Sequence, residues 1–249
     1  MQYMSDLHLE KAPGFRIHEA DVVAKRLILA GDIGDPCSTE YARFMADCGD
    51  KFEDVFVVLG NHECFGRTVD EAELAARSAT SDSSNVHVLS REGVDVESTK
   101  LRVIGTTLWS EIPTQSAFQV SCCVTDFSAI KKWSVSACNA RHRADVAWIR
   151  REVNEAVLCG KRIVLVTHHA PLTRGTSAPR FDGCALNVAF ATDLSEMMSA
   201  PPIVAWIHGH THFSNAQRVN GVLVASNQRG YPGENDVSFD PKARIDIDA

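Results

Sequence analysis

Residues 203–213 read IVAWIHGHTHF, an apolar run that ends in three imidazoles, His208, His210 and His212, at alternate positions. Imidazoles beside a buried strand are costly to desolvate unless each has a partner. The same form recurs along the chain as RLILAGD (26–32), DVFVVLGNH (54–62) and KRIVLVTHH (161–169), with KLRVIGTT (100–107) and GVLVAS (221–226) as further apolar runs. Each reads as a strand that delivers polar groups to its carboxyl end. Helical patterns alternate with these runs. Residues 38–48 form one, closed by Gly49. Thr68 and Glu71 make a capping box that opens a second, through Ser78. Residues 141–158 place Val146, Trp148, Ile149, Val153 and Val157 on one stripe and stop at Gly160. A shorter helix over 189–198 precedes Pro201 and Pro202. Strand and helix in alternation predict an α/β protein.

The remaining stretches, 112–139 and 171–187, are polar and uneven. Long loops in a compact domain are commonly functional, so these are expected to wall the site. No junction reads as a linker, and 1–249 is taken as one domain. The chain has 249 residues, 45% of them hydrophobic, and a formal net charge of −7. That balance argues against an extended nucleic-acid or membrane partner and requires any phosphate binding to be local. Eight cysteines without a CxxC pair read as reduced thiols. With no leader-like start and no run of apolar residues long enough for a span, the expected location is the cytoplasm. Only five residues precede Asp6. The first strand is therefore short, and either a clipped start or a misassigned initiator methionine is the expectation.

The groups at the run ends are Asp6-Leu7-His8, Gly31-Asp32-Ile33-Gly34-Asp35, Gly60-Asn61-His62-Glu63, His168-His169 and Gly209-His210-Thr211-His212. In open α/β sheets, groups beyond the carboxyl ends of strands converge even when far apart in sequence. Imidazoles, carboxylates and an amide without thiolate suit Mn, Fe, Zn or Ni in a catalytic site. The donors exceed what one metal needs, so two divalent ions are expected.

The ordered set DLH, GDIGD, GNHE, THHAP and GHTH, from residue 6 to 212, resembles the calcineurin-like metallophosphoesterase superfamily, and SNQRGYPGE (226–234) resembles an uncharacterised phosphoesterase subgroup of it. The resemblance implies a four-layer α/β/β/α sandwich of two mixed sheets flanked by helices. It implies that Asp6, His8, Asp32 and His212 hold one metal and that Asp32, Asn61, His168 and His210 hold the other. His168 is preferred to His169 because it directly follows the strand. His62 becomes the proton donor or electrostatic stabiliser at the leaving oxygen. The implied reaction is phosphoester hydrolysis by direct attack of a metal-bridging hydroxide, on a small phosphodiester or phosphomonoester, without a covalent phosphoenzyme. Two cations would outweigh the charges of Asp6 and Asp32 and make an anion site within an acidic protein. The rivals are a nuclease or nucleotide-lipid pyrophosphatase of the same superfamily and a non-catalytic scaffold. Retention of Asn61 and His62 speaks against the scaffold.

Other residues have plainer readings. Asp35 caps a turn or the following helix. His208 is a hydrogen-bonded support for a ligand, and His169 a support, substrate contact or satisfied loop histidine. Arg174, Arg180 and Arg229 lie in loops where a guanidinium would serve phosphate, although a solvated arginine is the simpler reading. Asn227 and Tyr231 have the same standing. Trp109 reads as core edge and Cys64 as a packed thiol.

Overall fold

Period-two alternation in the strands decides the layering. In the computed structural model, which describes residues 1–199, 202–234 and 238–247, strand β2 (Arg26–Ala30) sorts its side chains by parity. Leu27 and Leu29 pack with Met4, Val55 and Val57 against α1 (Thr39–Lys51), through Tyr41, Phe44, Met45 and Cys48. Ile28 and Ala30 point the other way, onto a second sheet. Residues i and i+2 of a strand share a face, so a strand with both faces apolar is buried between two layers. The first sheet, ordered β1-β2-β3-β4 from Gln2–Met4, Arg26–Ala30, Asp54–Val58 and Val86–Leu89, is parallel throughout.

The second sheet is ordered β5-β6-β7-β8-β10-β9, from Glu92–Asp95, Leu101–Thr106, Arg162–Thr167, Ile203–His208, Val222–Ser226 and Asn215–Val219. Its four central strands are parallel, and antiparallel β5 and β9 form its edges. Two facing sheets flanked by helices are thus present, and the mixed character lies in this sheet alone. Val103, Val164, Val166, Ala205, Ile207 and Ala225 face the first sheet, whereas Ile104, Leu165, Trp206 and Val224 face α5 (Val135–Cys159) through Trp148, Ile149 and Ala156. Each such fully buried aliphatic side chain contributes roughly 1.5–3 kcal/mol relative to exposure.

Strand β1 is short, and hydrogen bonds beyond its end continue the alignment. Asp6 N–H donates to the Gly31 carbonyl at 2.9 Å, His8 N–H to Asp32 at 3.0 Å and Leu9 N–H to Ile33 at 2.9 Å. Its other edge is covered by residues 243–245, with Tyr3 N–H donating to Ala243 O.

The helices depart from the sequence reading in definite ways. Helix α1 continues through Gly49 to Lys51, because the Asn85 amide donates to the carbonyls of Gly49 and Phe52 and takes over groups that a cap would serve. Helix α2 (Val69–Ala79) has the expected Thr68–Glu71 capping box. Helix α5 starts six residues earlier than the expected 141, at Val135, capped by Ser134, whose hydroxyl accepts from Ala137 N–H. Its first turns bury Cys138, His142 and Asp145, so no apolar periodicity marks them. It ends as expected at Gly160, in the left-handed conformation (φ 64°). The unassigned stretch 112–139 also contains α3 (Ala117–Cys123) and α4 (Asp126–Ala129). The helix expected over 189–198 is absent. Ala170 N–H donates to Phe190 O and Thr192 N–H to Ala170 O, which commits that backbone to a β-bridge and leaves only a 3-10 turn at Ser195–Ser199. Pro201, read as a helix stop, lies outside the described residues. Strands β4, β5 and β9 were not foreseen. The two edge strands lack an apolar run, and β4 is short. All eight cysteines are free, and among the described residues no helix is long and apolar enough to cross a membrane.

The two sheets are tightly apposed at Gly105 of β6. A Cβ there would lie 2.7 Å from Val58 Cγ2 and 2.9 Å from Leu89 Cβ. Gly105→Ala is therefore expected to destabilise the protein by about 1–3 kcal/mol through overpacking, read as a lower urea midpoint. An unchanged midpoint would show that the layers part locally without cost.

Candidate metal centre

The site forms because β1, β2, β3, β7 and β8 end at one edge of the paired sheets and the chain turns sharply after each. Asp6, His8, Asp32, His210 and His212 adopt left-handed backbone, with φ of 54°, 48°, 54°, 75° and 49°. Non-glycine residues rarely occupy that region. Each instance costs on the order of 1–3 kcal/mol and persists only where the surroundings fix it. The fixing bonds are visible. The Glu63 carboxylate accepts from the N–H groups of Asp32 (3.1 Å), Ile33 (2.7 Å) and Gly60 (2.9 Å), tying the loop after β2 to that after β3. His210 N–H donates to Asp6 Oδ1 at 3.0 Å, and His212 N–H to Gln228 Oε1 at 2.5 Å.

Among the described residues three donor sets result: Asp6, His8 and His212; His8, Asp32 and His62; and Asp32, His168 and His210. Within each set the donor atoms lie within 4.8 Å of one another. His8 Nε2 is 3.0 Å from His212 Nε2, and His212 Nε2 is 3.5 Å from Asp6 Oδ1. On the other side of Asp32, its Oδ2 is 3.4 Å from His168 Nε2, which is 3.1 Å from Asn61 Oδ1. Asp32 is thus shared between neighbouring sets. The donor chemistry, imidazole nitrogen and carboxylate or amide oxygen, fits divalent first-row metals. A further sign is that the buried Nε2 of His210 has no hydrogen-bond partner among the described residues, which is costly for a polar atom unless a ligand meets it.

The outer partners fix the imidazoles. His168 Nδ1 lies 2.9 Å from Ala30 O, which assigns its proton there and leaves Nε2 turned toward Asp32. His8 Nδ1 is 3.2 Å from Glu10 Oε1, and His212 Nδ1 is 2.7 Å from Glu234 Oε2. The Asn61 amide donates to Asp126 Oδ1 at 2.8 Å, which turns Asn61 Oδ1 toward His168. Burial alone would push the Asp32 carboxyl up, but His168, His62 and His8 around it hold it well below the usual range. Burial pushes Glu63 up to about 8, with the nearby Asp32 charge adding to the effect. His62 stands above its ordinary value, because the charges of Asp32 and Glu10 outweigh its burial.

A cleft of about 650 Å³ opens over these residues. Its lining includes Asp32, Asn61, His62, His210 and His212 on the floor, Cys123–Asp126 on one wall and Ser177–Asn187 residues on another. The two stretches expected to wall the site do so.

A model of the family described as calcineurin-like phosphoesterase matches residues 4–214. The chain belongs to this family. Along its whole length this calcineurin-like phosphoesterase is similar to an uncharacterized protein of Acanthamoeba polyphaga mimivirus, at 28% identity, covering 96% of that protein. In fold it is similar to the crystal structure of the phosphopantetheinyl hydrolase PptH from Mycobacterium tuberculosis, with a TM-score of 0.70 at 17% identity over 98% of this chain and 97% of that one. A dimetal phosphatase from Danio rerio gives a TM-score of 0.55 at 12% identity, over 90% and 85% of the two chains. The protein is therefore a metallophosphoesterase of a dimetal-dependent family with clustered donor residues.

Not every residue singled out in the sequence of this calcineurin-like phosphoesterase reaches the site. Asn227 does not. Its amide donates to the carbonyls of Tyr3 and Asp240 and its Oδ1 accepts from Asp240 N–H, so it ties β1 to the C-terminal segment. Arg229 is spent on the Leu7 carbonyl and the Phe15 ring. Asp35 anchors Arg67 and the Cys37 N–H, Cys64 is packed, and Trp109 is buried against Trp133 and His169. His208 is buried, bonds the Gly209 carbonyl and is pushed down to about 4 by burial. His169 belongs to none of the donor sets. Its Nδ1 meets Ser110 Oγ at 2.8 Å, and its ring stacks on His210 at 4.1 Å. Arg180 reaches the cleft; Arg174 is exposed and does not line it. The residues missed are Glu10, Asp126, Gln228 and Glu234, whose roles depend on tertiary contact. Of these, Gln228 and Glu234 lie within the motif SNQRGYPGE.

Gly60 permits the closest approach at the centre. A Cβ would lie 2.1 Å from Asp32 Oδ1 and 2.7 Å from His168 Nε2. Gly60→Ala is expected to leave the circular dichroism spectrum intact and to weaken metal retention roughly 10–100-fold, measured by chelator competition with elemental analysis. Undiminished retention would show that the two side chains can move apart freely.

Proposed function

We propose that this protein hydrolyses a small phosphodiester or phosphomonoester with two divalent metal ions. Asp6, His8, Asp32 and His212 hold one ion, and Asp32, Asn61, His168 and His210 hold the other. The observation that carries the reading is Asp32, whose carboxylate belongs to two adjacent donor sets at the floor of one cleft. Manganese, iron, zinc or nickel suits a donor set without sulfur. When bound, two such ions neutralise phosphate charge and supply a water acidified toward neutrality.

The chain's own groups complete the chemistry. His62, which shares a donor set with His8 and Asp32 but is not among the proposed ligands, supplies the proton for the leaving oxygen. Lys11 and Arg180 line the same cleft and add positive charge where an anionic ester would enter. The cleft volume lies within the range that ordinarily houses small molecules, and the acidic balance of the chain disfavours an extended nucleic acid. Free thiols at all eight cysteines favour a reducing, cytoplasmic setting.

The Mn²⁺-reconstituted protein is expected to hydrolyse bis-p-nitrophenyl phosphate or p-nitrophenyl phosphate, and the preferred ester assigns the diester or monoester class. Silence on both with two metals bound would sink the reading for simple esters. Asp32→Ala should lose both metals and all activity, and a variant that kept both by elemental analysis would contradict the shared role. His62→Ala should keep the metals and lose about 10²–10⁴ in turnover on an ester with a poor leaving group. An unchanged rate would remove His62 from proton transfer.

A further inference from the structure

The geometry points to Tyr231 as the group that meets the leaving oxygen, with His62 acting through its hydroxyl and Glu10 as the positioning residue behind His62. This rests on the phosphoester hydrolysis proposed above. A histidine that hands a proton directly to a substrate needs one ring nitrogen open to it. His62 has none. Its Nδ1 is 3.2 Å from Glu10 Oε1, and its Nε2 is 2.9 Å from the Tyr231 hydroxyl.

Tyr231 is built into the centre. Its ring lies against His8 and His212, with centroids 4.5 and 4.6 Å away, and Lys11 Nζ sits 3.8 Å from its own centroid. Its N–H donates to Glu234 Oε2 at 2.9 Å, the same oxygen that meets His212 Nδ1. The phenol therefore lines the cleft from a position fixed to a metal-binding imidazole. Glu10 is shared in a similar way, since its Oε1 faces the Nδ1 of both His8 and His62. One carboxylate oxygen thus sets the ring orientation of a metal-binding histidine and of the proton source, and directs the Nε2 of each inward.

The proton balance is simple. As the bond from phosphorus to the leaving oxygen breaks, its electron pair takes the Tyr231 hydroxyl proton. The Nε2 proton of His62 moves to the phenolic oxygen, leaving a neutral imidazole that keeps its Nδ1 proton and donates it in a hydrogen bond to Glu10. A proton from water then restores the pair. No electrons change hands and no covalent bond to the protein forms.

The test compares the Mn²⁺-loaded wild type, Tyr231→Phe, His62→Ala and the double variant on aryl phosphoesters graded from p-nitrophenyl to phenyl, with metal content measured for each. Tyr231→Phe is expected to keep both metals and to lose roughly 10²-fold in kcat on the phenyl ester, but only a few-fold on the p-nitrophenyl ester. The double variant should be no slower on the phenyl ester than His62→Ala alone, as for groups acting in series. If Tyr231→Phe keeps its phenyl rate while His62→Ala loses it, His62 donates directly; this overturns the relay and leaves the hydrolase reading intact. Equal loss on every ester would make Tyr231 a packing residue and also overturn the relay. Inactivity of the metal-loaded wild type on the whole series would instead bring down the hydrolase reading beneath it.

Discussion

The Asp32 carboxylate is the constraint around which the rest is arranged. It is buried, it follows the last residue of a central strand by one glycine, and it stands in left-handed backbone. Burying an isolated carboxylate costs several kcal/mol even after relaxation, and this one faces the imidazoles of His8, His62 and His168. Two bare glycine positions admit it. At Gly31 a Cβ would strike His168, and at Gly60 it would strike Asp32 itself. Glu63 then holds the backbone on either side of the gap through three N–H groups. The strain of the left-handed turns is thereby offset by hydrogen bonds that exist only when the loops after β2 and β3 are both in place.

This explains why so much of the centre was legible in the sequence. The metal-binding candidates sit one to a few residues beyond apolar runs, where the strand period ends and the chain must turn. The pattern of apolar run, glycine or polar turn, then Asp, Asn or His is local, so it survives reading one residue at a time. The parallel strands β2, β3, β6, β7, β8 and β10 were legible for the same reason, being long apolar runs. What stayed hidden depends on tertiary partners. Asp126 is 65 residues from the Asn61 amide that it orients, in a stretch with no periodicity. The opening turns of α5 bury His142 against the carbonyls of Leu108 and Trp109, polar groups satisfied inside the protein that look exposed in sequence. Conversely, Asn227 and Arg229 stand in a motif rich in polar side chains, yet one binds the C-terminal segment and the other a carbonyl of the loop after β1.

The same tertiary contacts tie the walls of the cleft to the metal centre. Asp126 belongs to the inserted helical stretch, lines the cleft and holds Asn61. Burial keeps its carboxyl raised, at about 6, with the Asn61 amide opposing that rise. Glu234 lines the cleft and holds His212 from the opposite side. Phe190, from the other uneven stretch, stacks on His210 at 4.8 Å. Each wall therefore ends on a metal-binding candidate. Side chains of the cleft walls are joined, by one hydrogen bond or one ring contact, to groups that set the donor geometry.

A protein with a net charge of −7 that binds a phosphate ester must concentrate positive charge where the ester sits. Asp6, Glu10, Asp32, Glu63, Asp126 and Glu234 all cluster at the centre, which would repel an anion if they faced it. Most do not. Glu63 is turned onto backbone N–H groups, Asp126 onto an amide, and Glu10 and Glu234 onto the outer nitrogens of histidines. Their oxygens are occupied in orienting donors from behind, leaving the inward face to imidazole nitrogens, the Asp6 and Asp32 oxygens and the cations they are suited to hold. With Lys11 and Arg180 on the lining, the attractive field is short-ranged and confined to the cleft. Selection of substrate by such a protein then rests on fit to the cleft walls and not on long-range steering.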